Sequence, residues 1–271
     1  LYPRPAPVPA AAQRPRAVSV TALDRLRSDP YQFYAQRILG LAPLDPVDPE
    51  PGPQWQGTLA HAILEDWHEG GGSLEALADR HLAAMAAHPL QAALWRPRLL
   101  AGLAWVAHNL AGNPGRVPAL WERWGEMEVA GVRIYGKADR IDRLADGTLA
   151  IVDYKTGSVP SSERVKAGYA LQLGTLGLIA QAGGFSEVAG MPTAFEYWSL
   201  GRNAASPTGF GKCVTPIKVG GKRTGIAPDE FLPGIAHHLH DALARWLNGD
   251  APFTARANPD APVYDTYDQL M

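Results

Sequence analysis

Halfway along the chain the spacing of apolar residues changes. Up to about residue 111 they recur every three or four positions, as amphipathic helices require. From Glu126 to Lys155, "EMEVAGVRIYGKADRIDRLADGTLAIVDYK", they alternate with polar residues instead. Turn signals at Gly131 and at Asp146-Gly147 divide this stretch into three consecutive antiparallel strands, the second turn being of the type I′ kind that Asp-Gly favours. Helical spacing returns in "SSERVKAGYALQLGTLGLIAQAG", where Leu171, Leu178 and Ile179 supply the buried stripe, and "PTAFEYWSL" reads as one more strand. Helices, three strands, a helix and a strand predict an α/β domain: a mixed central sheet of about four or five strands flanked by helices, with an extra N-terminal helical region.

In that N-terminal region, "SVTALDRLRSDPYQFYAQRILG" predicts a short helix from about Thr21. A second follows, capped by Asp29, opened by Pro30 and stopped by Gly40, with Tyr31, Phe33, Tyr34 and Ile38 packed inward. Five prolines in eleven residues make Pro43 to Pro53 a surface loop. From Gln56 to Glu69, Leu59, Ile63 and Trp67 lie at helical spacing, and His61 and Glu65 stand one turn apart on a neighbouring face. Further helices are expected at about 74–86, 91–111 and 115–124. A Gly/Lys-rich stretch from Gly211 to Gly225 precedes a last helix, around Pro228 to Asn248.

With 271 residues, 46% of them hydrophobic and 19% charged, there is enough apolar surface for a sizeable core. No window reaches the roughly 18 uninterrupted apolar residues of a membrane span, and no signal peptide is evident, so a cytoplasmic location is expected. The chain starts at Leu1, and residues 1–16 hold five prolines, so 1–16 is expected to be a linker leading into a domain at 17–271, the whole a piece of a longer protein. Cys213 is the single cysteine, which excludes an internal disulfide and a thiolate-held zinc or iron-sulfur site. A net charge of -2 confines any nucleic-acid site to a local patch.

Carboxylates near strand ends are costly unless paired or bound to a cation. Asp139 and Asp153 flank the Asp146-Gly147 turn symmetrically, so the hairpin brings both to one end of the sheet, and Lys155 shares the face of Asp153. Two carboxylates and an ammonium suit phosphodiester hydrolysis: oxygen ligands for a hard cation, and a lysine to orient water or offset developing charge. The bland alternative is that Asp139 pairs with Arg140 or Arg143 on an exposed strand and Lys155 merely begins a loop.

"GKADRID", then "IVDYKTG", then a helix carrying "YALQL", in that order, resemble the PD-(D/E)XK nuclease superfamily. Within it the likeness is to RecB-like exonuclease domains, and especially to the C-terminal nuclease domain of AddB-type helicase-nuclease proteins. "SVTALDRLRSDPYQFY" and "GTLAHAILEDW" extend the likeness over most of the chain. The resemblance implies His61, Asp139 and Asp153 as metal ligands, joined by the backbone carbonyl of Tyr154; Lys155 as the catalytic lysine; and Gln172 as a group orienting lysine, water or DNA. Glu65 would act behind His61. It also implies Mg²⁺ or Mn²⁺, exonuclease cleavage of DNA ends or single strands, an AddA-like helicase-nuclease partner, and a part in double-strand-break repair. A catalytically silent DNA-binding or subunit-interaction module of the same fold is the alternative.

Two departures from the family pattern stand out. Relatives often carry a tyrosine four residues after the glutamine, where this chain has Leu176; Tyr169 could partly replace it. Many also clamp the domain with an iron-sulfur cluster, for which this chain has Asp29 in place of the first cysteine and no cysteine in its tail.

Lys212, Lys218, Lys222 and Arg223 form an acid-free basic stretch that could follow a phosphate backbone or be a plain solvated loop. His237, His238 and His240 point in different directions around a helix and make a poor metal site. The tryptophans, Trp105, Trp121 and Trp124 among them, read as packing residues, though one near the sheet could stack on an unpaired base, and His68 reads as structural.

Overall fold

The computed structural model describes residues 5–42, 52–85, 88–218 and 224–256, with Gly220, Asn258 and Tyr267. After a 3-10 turn at Ala11–Gln13 come β1 (Ala17–Ser19), α1 (Val20–Ser28), α2 (Pro30–Arg37), α3 (Pro53–Gly70), α4 (Leu74–Leu82), α5 (Pro89–Ala111), β2 (Val117–Val129), β3 (Val132–Arg143) and β4 (Leu149–Lys155). α6 (Ser162–Lys166), α7 (Gln172–Gln181), β5 (Pro192–Arg202), β6 (Phe210–Val214) and α8 (Pro228–Ala242) complete the order, α8 running on into a π turn at Leu243–Leu247. The helix starts obey local chemistry: Ser19, Asp29, Ser73 and Ser161 each accept a hydrogen bond from a backbone N–H of the first turn they cap. The mixed α/β sheet flanked by helices is the one the sequence pattern implies.

Six strands form one sheet. β3 pairs antiparallel with β2 along one edge. Its other edge is shared: β1 runs parallel to Arg133–Tyr135, and β4 runs antiparallel to Arg140–Arg143. Between these two partners, residues 136–139 of β3 have no neighbour on that edge. β4 then pairs parallel with β5, and β5 antiparallel with β6. Because β4 is covered on both faces, its residues from Leu149 to Tyr154 are all buried, and it reads as a continuous apolar run broken only by Asp153.

Two hydrophobic cores lie on opposite faces. α1, α7 and α8 close the larger one, around Leu23, Leu176, Phe195, Phe231 and Ile235. α3, α4 and α5 close the smaller, around Ile63, Leu64, Leu103, Tyr154 and Trp198. Leu176, at the position where relatives have a tyrosine, is buried against Val20 and Gly136 in the larger core. Asp29, in place of the cluster-binding cysteine, caps α2 through the N–H of Gln32 at 3.1 Å.

Three expectations need correction. Residues 115–124, expected as helix, form the first half of β2. Leu120 and Trp124 mimic a helical i, i+4 pair, yet Leu120 is buried while Trp124 is 65% exposed. A bulge between Pro118 and Leu120 and a positive φ of 48° at Glu122 break the alternation that would have disclosed a strand. The Asp146-Gly147 connection is not a type I′ turn, which needs positive φ at both central residues; here only Gly147 has it, at 82°. The loop spans residues 144–148, and Asp146 accepts hydrogen bonds from Thr148 N and Oγ1. The two-residue type I′ geometry occurs instead at Ala130-Gly131, with φ of 51° and 75°. Finally, the Gly211–Gly225 stretch begins as β6, and β1 has no counterpart in the sequence reading.

The 43–51 part of the proline-rich loop lies outside the described residues. The segment expected as a linker runs, from Pro5, along the C-terminal part of the chain: Pro5 and Pro7 carbonyls accept from Ala255 and Phe253, and buried Arg14 donates to Trp246 O at 2.5 Å. Among the described residues no helix is long and apolar enough to cross a membrane.

Candidate active site

The gap left on β3 between β1 and β4 is where the functional side chains gather. Arg140 and Val152 are the last paired residues of β3 and β4 toward that gap, and Asp139 and Asp153 are the next on each strand. The strands part there, and both carboxylates project into the opening. Asp139 Oδ2 accepts a hydrogen bond from Tyr154 N at 2.8 Å, which ties β3 to β4 across the split.

α3 supplies the imidazole. His61 Nδ1 lies 3.0 Å from Glu122 Oε1 and 3.6 Å from Asp139 Oδ1, and Nε2 lies 3.3 Å from the Tyr154 carbonyl oxygen. From the opposite face of the sheet, α7 brings Gln172, whose Nε2 donates to Asp153 Oδ1 at 3.0 Å. Lys155 Nζ sits 2.7 Å from Asp153 Oδ2 as an ion pair. Asp153 Oδ2 is fully buried there.

His61, Asp139, Asp153, Tyr154, Lys155 and Gln172 are thus brought together. Glu65 makes no ion pair with the imidazole among the described residues; it faces Lys137 at 3.9 Å. Tyr169 is half-buried in the loop before α7, its carbonyl accepting from Arg164 Nε at 3.3 Å. Lys212 is exposed on β6, in the sheet row Lys155–Ser199–Lys212, hence about 10 Å from Lys155 by strand spacing. Lys218 is exposed beyond β6, and Lys222 and Arg223 lie outside the described residues.

Glu122 is the residue sequence reasoning missed. It is buried on β2 opposite Asp139, its Oε2 2.7 Å from Lys137 Nζ. Its backbone holds a left-handed conformation that costs a non-glycine residue about 1–3 kcal/mol, a strain characteristic of functional sites. A usable signal existed: the register set by the Ala130-Gly131 turn places Glu122 against Asp139, but only once its segment is known to be strand. Asp24 was also passed over. Its Oδ1 accepts from Leu171 N at 2.6 Å and so caps α7, fixing the helix end that carries Gln172.

Electrostatics mark the same spot. Burial and the neighbouring Asp153 charge push the Asp139 carboxyl up to about 7, although His61 opposes them. Burial disfavours the His61 cation, yet Asp139 and Glu122 outweigh it and raise the imidazole to about 9. Burial likewise works against the Lys155 ammonium, and Asp153 more than restores it, so the lysine titrates above its ordinary range. Burial lifts Asp24 to about 6 against the pull of the Leu171 and Gln172 N–H groups.

The donor set fits a metal ion. Ligand atoms of His61, Glu122 and Asp139 lie within 4.8 Å of one another, and the Tyr154 carbonyl faces the same imidazole. Carboxylates, a carbonyl and one imidazole suit a small hard divalent ion.

Comparison with known proteins points the same way. Residues 17–259 match the family model of the PD-(D/E)XK nuclease superfamily, so the chain belongs to that superfamily. It is 31% identical over 161 residues to an ATP-dependent helicase/deoxyribonuclease component of Streptococcus equi subsp. zooepidemicus, covering 54% of this chain and 15% of that protein. It is 28% identical over 191 residues to an uncharacterized protein of Rickettsia conorii, covering 64% of this chain and 23% of that one. A Rickettsia bellii protein, also uncharacterized, is 27% identical over 186 residues, or 64% of this chain and 22% of the relative. The chain therefore spans less than a quarter of the curated relatives it matches.

Proposed function

We propose that this domain is a Mg²⁺- or Mn²⁺-dependent deoxyribonuclease that hydrolyses DNA from an end. One observation carries the reading: four acidic and imidazole groups, His61, Glu122, Asp139 and Asp153, converge in a split between strands with Lys155 as the cation nearest Asp153. His61, Asp139, Asp153 and the Tyr154 carbonyl would hold the ion, and Glu122 would complete the anionic wall. A bound divalent cation neutralises phosphate charge and acidifies the attacking water.

The chain's own groups do the rest. Lys155, kept charged by Asp153, offsets negative charge developing on the phosphate as water adds to phosphorus and the 3′ oxygen departs. Gln172 fixes one oxygen of Asp153 while Lys155 pairs with the other, and Asp24 fixes Gln172 by capping its helix. Lys137 shields Glu122 from Asp139. Similarity to a helicase/deoxyribonuclease component supports work beside an ATP-driven helicase partner, in the processing of double-strand breaks.

The test is release of label from linear single-stranded DNA, linear duplex and a closed circle, with Mg²⁺, Mn²⁺ or EDTA, for the intact protein and Lys155→Ala. Metal-dependent digestion of linear DNA, lost by at least about 100-fold in the variant, is expected, with the circle spared. Equal inertness of both proteins with DNA binding retained would instead favour a non-cutting module.

A further inference from the structure

Beside the candidate site, on the α3–α5 face of the sheet, lies an open groove of about 660 Å³, lined by Trp95, Arg98, Thr156, Arg202 and Phe210 among others. Thr156 directly follows Lys155, so the groove starts about 10 Å along the chain from Asp153. α3 joins the two places: Gly57, one turn before His61, packs so closely on Thr156 that a methyl group there would sit 3.3 Å from its Oγ1.

The groove's chemistry is specific. Trp95 and Phe210 are half-buried aromatics, and Arg98 and Arg202 are exposed. α5 contributes Trp95 and Arg98 at i, i+3, and the β5–β6 hairpin contributes the cross-strand pair Arg202 and Phe210. Among the described residues no carboxylate lines it. Two residues before Arg98, Arg96 is tied by Asp79 at 2.6 Å and Glu75 at 2.8 Å, whereas neither the Arg98 nor the Arg202 side chain has an ion pair or hydrogen bond among the described residues. One arginine of this helix is neutralised by α4 and another, on the groove side, is left free.

We propose that this groove holds an unpaired DNA strand beside the bond to be cut, with bases stacked on Trp95 and Phe210 and phosphates held by Arg98 and Arg202. Aromatics alternating with free cations are the means by which proteins hold single strands without reading sequence. Its volume is that of a small-ligand pocket, room for one or two nucleotides. The proposal rests on the nuclease reading above and deepens it: the strand reaches the site unpaired.

Binding in EDTA separates the groove from the chemistry. Fluorescence anisotropy of the full chain with labelled oligothymidylate and with a blunt duplex would compare wild type, Trp95→Ala, Trp95→Phe, and Arg98→Ala with Arg202→Ala. Loss of the Trp95 ring is expected to weaken single-strand binding about 10-fold and the phenylalanine to restore most of it. The exposed arginine pair, which carries no packing load, should lower the single-strand salt slope by about 1.4. Duplex binding should not change. The proposal is overturned if wild type does not bind the single strand, if the variants bind it as wild type does, or if they lose duplex binding instead. If the groove variants weaken binding but wild type cuts nothing with Mn²⁺, the nuclease reading fails alone; if linear DNA is cut and binding is indifferent to the groove, the groove fails alone.

Discussion

Asp139 and Asp142 stand three residues apart on the same strand, both buried, and the chain treats them in opposite ways. Asp142 has two arginines: Arg140 Nε at 2.6 Å, and Arg116, which also reaches Glu196 at 2.9 Å. Both guanidiniums lie over the Trp198 ring, and Arg140 also contacts His68 Nε2 at 2.9 Å. Among the described residues Asp139 has no arginine. Its neighbours are a second aspartate, a glutamate and one imidazole. Where arginines enclose a buried carboxylate the chain builds a brace; where carboxylates gather around an imidazole it sets ligand atoms side by side.

The largest effect should come from breaking the brace. Asp142→Ala strands the buried Arg140 guanidinium and leaves Arg116 with Glu196 alone, so it should cost about 3–5 kcal/mol of unfolding free energy, read by urea titration. Asp139→Asn keeps an acceptor for Tyr154 N while removing a carboxylate raised to about 7, so the metal-free protein should lose nothing and gain on the order of 1 kcal/mol near neutral pH. Mn²⁺ should raise the wild-type melting temperature, by about 2.7 kcal/mol equivalent at a hundredfold excess over Kd, and should do little for Asp139→Asn. Equal destabilisation by both substitutions would erase the contrast.

A smaller effect tests the brace through pH. Burial and the Arg140 charge lower the His68 imidazole to about 4. The unfolded chain then binds more protons than the folded one between about 6.5 and 4, so this residue's contribution to stability is full near neutrality and drains away as pH falls through that window. Stability should drop by up to a few kcal/mol between about pH 7 and 4.5. His68→Gln, which cannot ionise, should flatten the decline; an unchanged slope would show that the histidine is already protonated in place.

How much of this contrast was legible in the sequence follows from its register. Asp139, Asp153 and Lys155 could be placed because one turn lies midway between the two aspartates, and the count survives although the turn has a different geometry. His61 and Gln172 came from likeness to a family, and the structure brings them to the same opening. Glu122 and Lys137 could have followed from the Ala130-Gly131 turn by the same arithmetic, but a bulge and a left-handed residue disguised β2 as helix. The Asp142 brace and the Asp24 cap join residues far apart in sequence, Arg116 with Asp142 and Glu196, and Asp24 with Leu171. Local patterns carry no information about such pairs; only the closed fold does.

The smallest expected effect asks whether backbone strain alone can mark a site. Glu122 and Ala130 both lie on the β2 side of the β2–β3 hairpin with positive φ, 48° and 51°. Ala130 sits in an exposed two-residue turn, and nothing in the structure uses its side chain, so Ala130→Gly should relieve strain worth about 1 kcal/mol and leave both Mn²⁺ stabilisation and DNA cleavage as they were. At Glu122 the same change would also relieve strain, but it strips Lys137 and His61 of their partner. It should therefore reduce Mn²⁺ stabilisation whatever it does to the melting temperature of the metal-free protein. If both glycine variants behaved alike in Mn²⁺, the left-handed residue at 122 would be a second turn-like irregularity. Strain at Glu122 has meaning only through the carboxylate it holds against His61 and Lys137.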